Sequence, residues 1–105
     1  MLSIINESDF DENSNDMIAV KFWASWCGPC KAVRPSIEKM EKEFTDVNFI
    51  SIDVDQVPSL AKKYKIKSLP SLLLIKDGNE INRIDGAVFI DPLRKAFRDL
   101  TKDGE

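Results

Sequence analysis

Segments with the hydrophobic pattern of strands alternate along this chain with segments of helical periodicity. Residues 17–24 and 47–54 are largely apolar runs of strand length, rich in β-branched and aromatic side chains. Between them, apolar residues recur at helical spacing at Val33, Ile37, Met40 and Phe44. Because helices join neighbouring strands of such sheets, this order predicts a three-layer α/β domain. We expect a central mixed sheet of about five strands flanked by about four helices.

The C-terminal third of the chain predicts an antiparallel hairpin followed by a helix. Residues 72–75 are apolar, and Asp77-Gly78 is a two-residue turn signal leading into a strand over residues 81–84. Asp91 is the expected N-cap of the last helix, with Pro92 at its first position.

Three shorter elements are expected elsewhere. Residues 2–5 predict a short edge strand, and the polar residues 6–16 predict a short helix or turn. A second short helix is expected to open at Pro58, because proline suits the first helical position.

Length and composition limit the chain to one domain and exclude several classes of partner. The 105 residues fit a single domain spanning 1–105, and a hydrophobic content of 43% supplies one packed core. The net charge of −3 is too small, and of the wrong sign, for a nucleic-acid or membrane-surface binder. The sequence has no basic leader and no apolar run of membrane length. We therefore expect a protein that no standard signal exports.

The presence of two cysteines and no histidine narrows the possible chemistry. Structural zinc sites need four Cys or His ligands, so no metal site is expected, and His-based triads are impossible. Cys27 and Cys30 lie close together in the chain, and a disulfide that closes so short a loop removes little chain entropy. The pair is therefore predicted to be reactive rather than structural. It lies at a strand-to-helix turn, where open α/β folds usually place their sites.

The position of the two cysteines on the predicted helix predicts different environments for them. Cys27 should lie at the N-terminus of the helix, where free N–H groups and the helix dipole favour a thiolate. Cys30 should lie one turn deeper and be less exposed than Cys27.

The segment from Phe22 to Lys31 reads Phe-Trp-Ala-Ser-Trp-Cys-Gly-Pro-Cys-Lys and resembles the active-site signature of the thioredoxin family. Further matches are Pro35 in the following helix, Leu69-Pro70-Ser71 before a predicted strand, and the glycines at positions 78 and 86. The resemblance covers almost the whole chain. The hexamer Trp-Cys-Gly-Pro-Cys-Lys with a matching proline downstream is far more specific than a lone Cys-x-x-Cys.

The resemblance implies the thioredoxin fold and protein-disulfide reduction by dithiol–disulfide exchange. Cys27 would attack a substrate disulfide as the nucleophile, and Cys30 would resolve the mixed disulfide. Gly28 would let the substrate backbone approach, and Pro29 would stiffen the loop, as in the reducing members of the superfamily. Trp26 would cover the dithiol, and its role could be either contact with partners or shielding of the dithiol alone.

A second implied feature is a docking patch beside the cysteines. Pro70 is expected to follow a cis peptide bond, which leaves the backbone of Leu69 free to pair with an extended substrate strand. Gly86 and Ala87 would complete this small apolar patch next to the Gly-Pro turn. Asp85 stands where many relatives have an uncharged residue, and it should bias binding weakly toward partners with basic rims.

The chain also departs from the family at a buried acid–base pair. Lys21 replaces the usual Asp before Phe-Trp-Ala, and Ser51 aligns with the Lys that usually faces it. Alternation along the strand predicts that Lys21 lies beneath the helix that carries Cys30. Its ammonium could reach water or a carboxylate such as Asp53. Alternatively, a desolvated Lys21 with a lowered pKa could accept the Cys30 proton.

The resemblance further implies an electron donor for cell redox homeostasis that binds no cofactor. The expected partners are disulfide-containing substrate proteins and a flavin-dependent thioredoxin reductase that uses NADPH to recharge the pair. A cytoplasmic monomer is expected. The alternatives are a binding module in a larger assembly, disulfide formation or isomerisation in an oxidising compartment, and a metal cluster shared between two chains. The intact signature favours the reductase.

Overall fold

Five strands form one mixed sheet in the computed structural model, which describes residues 1–11 and 17–102. In chain order they are β1 Leu2–Ile4, β2 Met17–Trp23, β3 Asn48–Asp53, β4 Ser71–Lys76 and β5 Asn79–Asp85. Their order in the sheet is β1-β3-β2-β4-β5. β1, β3 and β2 run parallel, and β4 is antiparallel to both of its neighbours. The predicted mixed sheet with β1 at its edge is confirmed.

Three α-helices and one 3-10 turn complete the described part of the chain. The helices are α1 Gly28–Glu43, α2 Pro58–Lys63 and α3 Ile90–Thr101, and the 3-10 turn spans Glu7–Asp9. The predicted helix count is therefore close, with the 3-10 turn as the fourth helical element. That turn falls within the segment 6–16, where a short helix or turn was expected, and residues 12–16 lie outside the described residues. None of these helices is both long enough and apolar enough to cross a membrane.

Side chains alternate between the two faces of the sheet and build a core on each face. On one face α1 and α3 pack over the strands, and on the other face α2 does so. In β4, Leu72 and Leu74 belong to the first core, whereas Leu73 and Ile75 belong to the second. The predicted three-layer architecture is confirmed.

The turn between β2 and α1 lies at the centre of the sheet, at the carboxyl ends of two parallel strands. The N–H of Val54 donates to the carbonyl of Trp23 at 2.9 Å, so β2 and β3 end side by side. Helical spacing buries Val33, Ile37 and Met40 of α1 against the sheet. The turn between them is therefore held by a buried strand and a buried helix.

The hairpin between β4 and β5 brings a second loop to the same end of the sheet. Asp77 and Gly78 have φ angles of 52° and 82°, the two left-handed residues of a type I′ turn, as the sequence predicted. Ser71 at the start of β4 pairs with Phe22 of β2 and with Asp85 of β5. The loop after Asp85 thus lies near the carboxyl end of β2.

The last helix begins earlier than predicted. Phe89 rather than Asp91 occupies the N-cap, in an extended conformation and without a side-chain hydrogen bond, so the prediction of Asp91 as N-cap was wrong. Pro92 is tolerated within the first turn because the N–H groups there have no partner inside the helix. Asp91 lies in that same turn, where its carboxylate complements the helix dipole.

Candidate active site

Cys27 and Cys30 form a disulfide at the N-terminus of α1. Cys27 is the N-cap of the helix, and its Sγ accepts a hydrogen bond from the N–H of Cys30 at 3.1 Å. The Cys30 N–H and the positive end of the helix dipole are therefore directed at Cys27. This environment favours a thiolate on Cys27 once the disulfide is reduced.

Burial does not distinguish the two cysteines. Cys27 is 4% exposed and Cys30 is 3% exposed, so the expected difference in exposure is not visible in the disulfide form. The cavities beside them do distinguish them. Cys27 lines a groove on one side of the disulfide, and Cys30 lines a separate cavity. In the part of the chain that the structure describes, the walls of the two share no residue.

The groove beside Cys27 is mostly apolar. Its other walls are Trp26, Gly28, Pro29, Val54, Ala61, Ile66, Lys67, Ser68 and Leu69. They come from the β2–α1 turn, the end of β3, α2 and the loop before β4. Four predicted site residues, namely Trp26, Gly28, Pro29 and Leu69, therefore meet around Cys27. At Gly28 a Cβ would meet no described atom within 4 Å beyond its chain neighbours and its own helix backbone, so the surface over the turn is open.

The loop that carries Pro70 is held against the loop that follows β5. The Leu69–Pro70 peptide bond is cis, as predicted, and the N–H of Gly86 donates to the carbonyl of Pro70 at 2.7 Å. Gly86 has a φ of 86°, which disfavours any residue with a side chain there. Pro70 is buried and lines a small apolar pocket together with Gly86. Ala87 is the exposed chain neighbour of Gly86.

Asp85 is bonded to this loop and is not merely a surface charge. The Oγ of the fully buried Ser71 lies 2.8 Å from Asp85 Oδ1 and 2.7 Å from the carbonyl oxygen of Ser68. The single hydroxyl hydrogen serves one of these acceptors at a time. The rest of Asp85 is exposed. The carboxylate therefore combines a contact to Ser71 with an exposed charge beside the Pro70 loop.

The two tryptophans near the cysteines have different surroundings. Trp26 is 69% exposed, and its Nε1 donates to Asp55 Oδ2 at 2.8 Å. Asp55 is itself held by its N–H, which donates to Asp53 Oδ1 at 2.9 Å. Trp23 is partly buried and packs against Ala24 and the two cysteines. The position of Trp26 on the groove leaves its face available to a partner.

The cavity beside Cys30 contains the departure from the family pattern. It has a volume of about 420 Å³, and Lys21, Trp23, Ser51 and Cys30 all contribute to its walls. Lys21 therefore lies on the α1 side of the sheet, as alternation along β2 predicted. The Nζ of Lys21 lies 5.8 Å from the centre of the Trp23 ring, over its face.

Burial lowers the pKa of Lys21 below its ordinary value of 10.5, and the nearby charge of Arg34 lowers this pKa further. The carboxylates of Glu38 and Glu41 act in the opposite direction. Both belong to α1 and line the cavity with Lys21, whereas Asp53, the carboxylate suggested from the sequence, does not. Asp53 is instead directed to the following turn, where it accepts the Asp55 N–H.

Sequence reasoning missed four residues around the two openings, namely Asp55 beside Trp26, and Arg34, Glu38 and Glu41 beside Lys21. Asp55 carried a weak signal, since Asp-x-Asp after a buried strand favours side-chain bonds to the turn. The three α1 residues are spaced for one helix face, and that face could be identified only after helix and strand were placed together. Among residues 1–11 and 17–102, no three Cys, Asp or Glu side chains converge to hold a metal ion.

Comparisons with known proteins agree with this geometry. The thioredoxin family model matches residues 2–99. The chain is 45% identical to Thioredoxin H2 from Arabidopsis thaliana over 76 residues, which are 72% of this chain and 57% of that protein. It is 39% identical to Thioredoxin-2 from Saccharomyces cerevisiae, over 76% of this chain and 80% of that protein. Among solved structures, oxidised mitochondrial thioredoxin 3 from S. cerevisiae superposes with a TM-score of 0.87 at 35% identity, covering 94% of each chain.

The sheet order, the cysteine pair at the start of α1 and the cis-proline loop beside it define a thioredoxin-fold protein with a Cys-x-x-Cys disulfide centre. The family match spans nearly every described residue. The chain belongs to the thioredoxin family. It spans little more than half the length of the Arabidopsis relative.

Proposed function

We propose that this chain is a protein-disulfide reductase that works by dithiol–disulfide exchange through Cys27 and Cys30. The observation that carries the proposal is the placement of Cys27 at a helix N-terminus and on an open apolar groove, with Cys30 one turn away. A substrate disulfide that enters the groove meets the sulfur whose thiolate the helix favours. Membership of the thioredoxin family supports the same chemistry.

The proposed cycle consists of two exchanges in which atoms and electrons balance. The Cys27 thiolate attacks one sulfur of the substrate disulfide, forms a mixed disulfide and displaces the other substrate sulfur as a thiolate. Cys30 then loses its proton and attacks Cys27 Sγ, which re-forms the Cys27–Cys30 disulfide and releases the second substrate thiolate. The substrate gains two electrons, and its two thiolates take up the proton lost by Cys30 and one from the solvent, which received the proton of Cys27 when that thiol ionised. The enzyme is left oxidised.

The groove and the adjoining loop provide the proposed docking surface. Gly28 and Pro29 form its floor beside Cys27, and the Leu69 backbone next to the cis bond pairs with an extended substrate strand. Gly86 holds Pro70 in place through its 2.7 Å hydrogen bond, and Ala87 extends the surface. Trp26 packs over one side of the docked segment.

The proposed partners are proteins with accessible disulfides and a flavin-dependent thioredoxin reductase that returns the electrons from NADPH. A yeast structural relative was solved in work on how glutathione and thioredoxin systems resolve a thiol of a 1-Cys peroxiredoxin, and such oxidised thiol proteins belong to the proposed substrate class. The chain itself binds no cofactor in this proposal. We also propose a cytoplasmic monomer, because a reducing compartment keeps the pair in its active dithiol form.

Reduction of insulin by dithiothreitol tests the proposed activity. The wild-type chain is expected to accelerate insulin precipitation at catalytic concentration, whereas the Cys27→Ser/Cys30→Ser double variant remains at the uncatalysed rate. Far-UV circular dichroism checks that the double variant is folded. Equal rates for the two proteins would overturn the reductase and favour a binding module on the thioredoxin fold.

Removal of the Asp85 charge is expected to have a small, salt-dependent effect on substrate choice. Asp85→Asn keeps an oxygen that can accept from Ser71, so mainly the charge changes. For a disulfide peptide with basic flanks we expect kcat/KM to fall about two- to threefold at low salt and to return toward wild type near 1 M salt. A peptide with acidic flanks is the control and should gain. Identical kinetics for both peptides across the salt series would show that this charge plays no part in docking.

A further inference from the structure

We propose that Lys21 sets the electrostatic environment of Cys30, stabilises its thiolate and thereby makes the reduced form easier to populate where Cys30 is ionised. The proposal rests on the two-exchange cycle above and concerns its second cysteine. It assigns to Lys21 an effect on the reduction potential of the pair, where the family pattern has a carboxylate.

Lys21 is fixed in the middle of the sheet. It pairs with Ser51 of β3 on one side and with Leu72 of β4 on the other, so its backbone cannot move away from α1 without breaking both ladders. The side chain is half-buried and lines the same 420 Å³ cavity as Cys30. Trp23 connects the two, because its ring lies under the Lys21 ammonium and also packs against the cysteines.

The carboxylates around the cavity do not cancel the positive charge of Lys21. On α1, Glu38 is paired with Arg34 at 3.0 Å. Glu41 is paired with the terminal ammonium of Met1. Both carboxylates that face Lys21 therefore already bind another cation. Lys31 of α1 adds a further positive charge at the rim.

Among residues 1–11 and 17–102, the remaining walls of the cavity add no carboxylate. Beyond Met1 and α1, β1 contributes Ser3, β3 contributes Ser51, and the end of β2 contributes Trp23 and Ala24. Hydroxyl, indole and methyl groups do not neutralise an ammonium. The charges that remain unbalanced on the Cys30 side of the disulfide are therefore positive.

The charge matters because the two redox states differ on this side. The disulfide carries no charge at Cys30, whereas the resolving step requires a Cys30 thiolate. A cation in a partly desolvated cavity interacts more strongly with that thiolate than it would in bulk water. The burial that lowers the pKa of Lys21 in the disulfide form is opposed once a thiolate is present, because each charge favours the other. The carboxylate of the family pattern would have the opposite effect.

The direct test is the equilibrium between the chain and glutathione redox buffers over a pH series that extends above the pKa of Cys30, with the reduced fraction measured by thiol alkylation and gel shift. Where Cys30 is ionised in the reduced protein, Lys21→Met is expected to shift the exchange constant about tenfold toward the disulfide form, which is about 30 mV for a two-electron couple. The shift should shrink as the pH falls and Cys30 is protonated. Lys21→Arg should stay within about threefold of wild type, because it keeps the charge. Lys39→Met is the matched control, since it removes a lysine from α1 that does not line the cavity.

The ionisation of Cys30 provides a second readout that a structural role would not move. In the Cys27→Ser background, thiolate absorbance against pH should give a Cys30 pKa about one unit higher when Lys21 is also changed to Met. Thermal unfolding confirms that each variant is folded. These measurements do not depend on reductase activity. The Lys21 proposal can therefore fail while insulin reduction is observed, and it can hold while insulin reduction is absent.

Two results would overturn the proposal. One is an exchange constant for Lys21→Met within about twofold of the Lys39→Met control across the whole pH series. The other is a Cys30 pKa in the Cys27→Ser background that does not change with Lys21→Met, because slower mixed-disulfide resolution at an unchanged pKa belongs to a proton acceptor and not to an electrostatic effect on the thiolate.

Discussion

Cys30→Ser is expected to accumulate covalent complexes with substrate proteins, whereas Cys27→Ser is expected to form none. The first exchange needs only the sulfur that faces the groove, and Cys27 lines that groove. Without Cys30 the mixed disulfide has no internal thiol to resolve it. In the reverse variant, the remaining sulfur lines the cavity on the α1 side and not the proposed docking groove. Both variants should lose insulin reduction to the level of dithiothreitol alone.

Non-reducing electrophoresis after incubation with a disulfide protein measures the trapped species. The double variant Cys27→Ser/Cys30→Ser is the control for noncovalent association, and added dithiothreitol should dissolve every trapped band. Trapping by Cys27→Ser in place of Cys30→Ser would reverse the roles assigned to the two cysteines. Full turnover by Cys30→Ser would remove the need for a resolving thiol.

Phe97→Ala is expected to destabilise the oxidised protein by about 3–5 kcal/mol. Phe97 of α3 is fully buried, and its ring stacks on two others. The ring centres lie 5.4 Å apart for Phe44 and 5.2 Å apart for Phe49 of β3. The substitution therefore leaves a cavity where α3, the end of α1 and the sheet meet. Chemical denaturation followed by tryptophan fluorescence gives the free energy of unfolding.

Phe89→Ala is the matched control for this prediction. Phe89 precedes the same helix but is 86% exposed, so its removal should change the free energy of unfolding by no more than about 0.5 kcal/mol. A loss below about 1 kcal/mol for Phe97→Ala would show that the three rings do not form a shared core. A large loss for Phe89→Ala would mean that its side chain is buried in solution.

Most of the fold was predictable because its local signals agree with one another. The apolar runs of β2, β3 and β4, the helical spacing of α1 and the Asp77-Gly78 turn each favour the structure that they adopt. The start of α3 was not predictable, because Asp91 and Pro92 suit the N-cap and first helical position as well as they suit the interior of the first turn. In such cases packing of the helix against the sheet sets the boundary, and that information is not local.

The candidate site was predictable in its chemistry but only partly in its geometry. The cysteines, Pro70 and Gly86 carry a signal in the sequence itself, and alternation placed Lys21 on the correct face of the sheet. The partners of Lys21 could not be predicted, because they depend on how α1 is rotated over β2. The Asp85 contact to Ser71 was missed for the same reason, since it crosses from one strand to another.

The separation of the two openings beside the disulfide has a consequence for inhibition. A ligand that fills the Cys27 groove would occupy the proposed docking surface, so we expect it to raise KM and to be displaced by more substrate. A ligand in the Cys30 cavity leaves that surface free and acts on the release of product, so it lowers kcat at every substrate concentration. Inhibitors of two kinds could thus act on one disulfide. The cavity beside Cys30 differs from the family pattern because it holds the cation Lys21 where the family has a carboxylate.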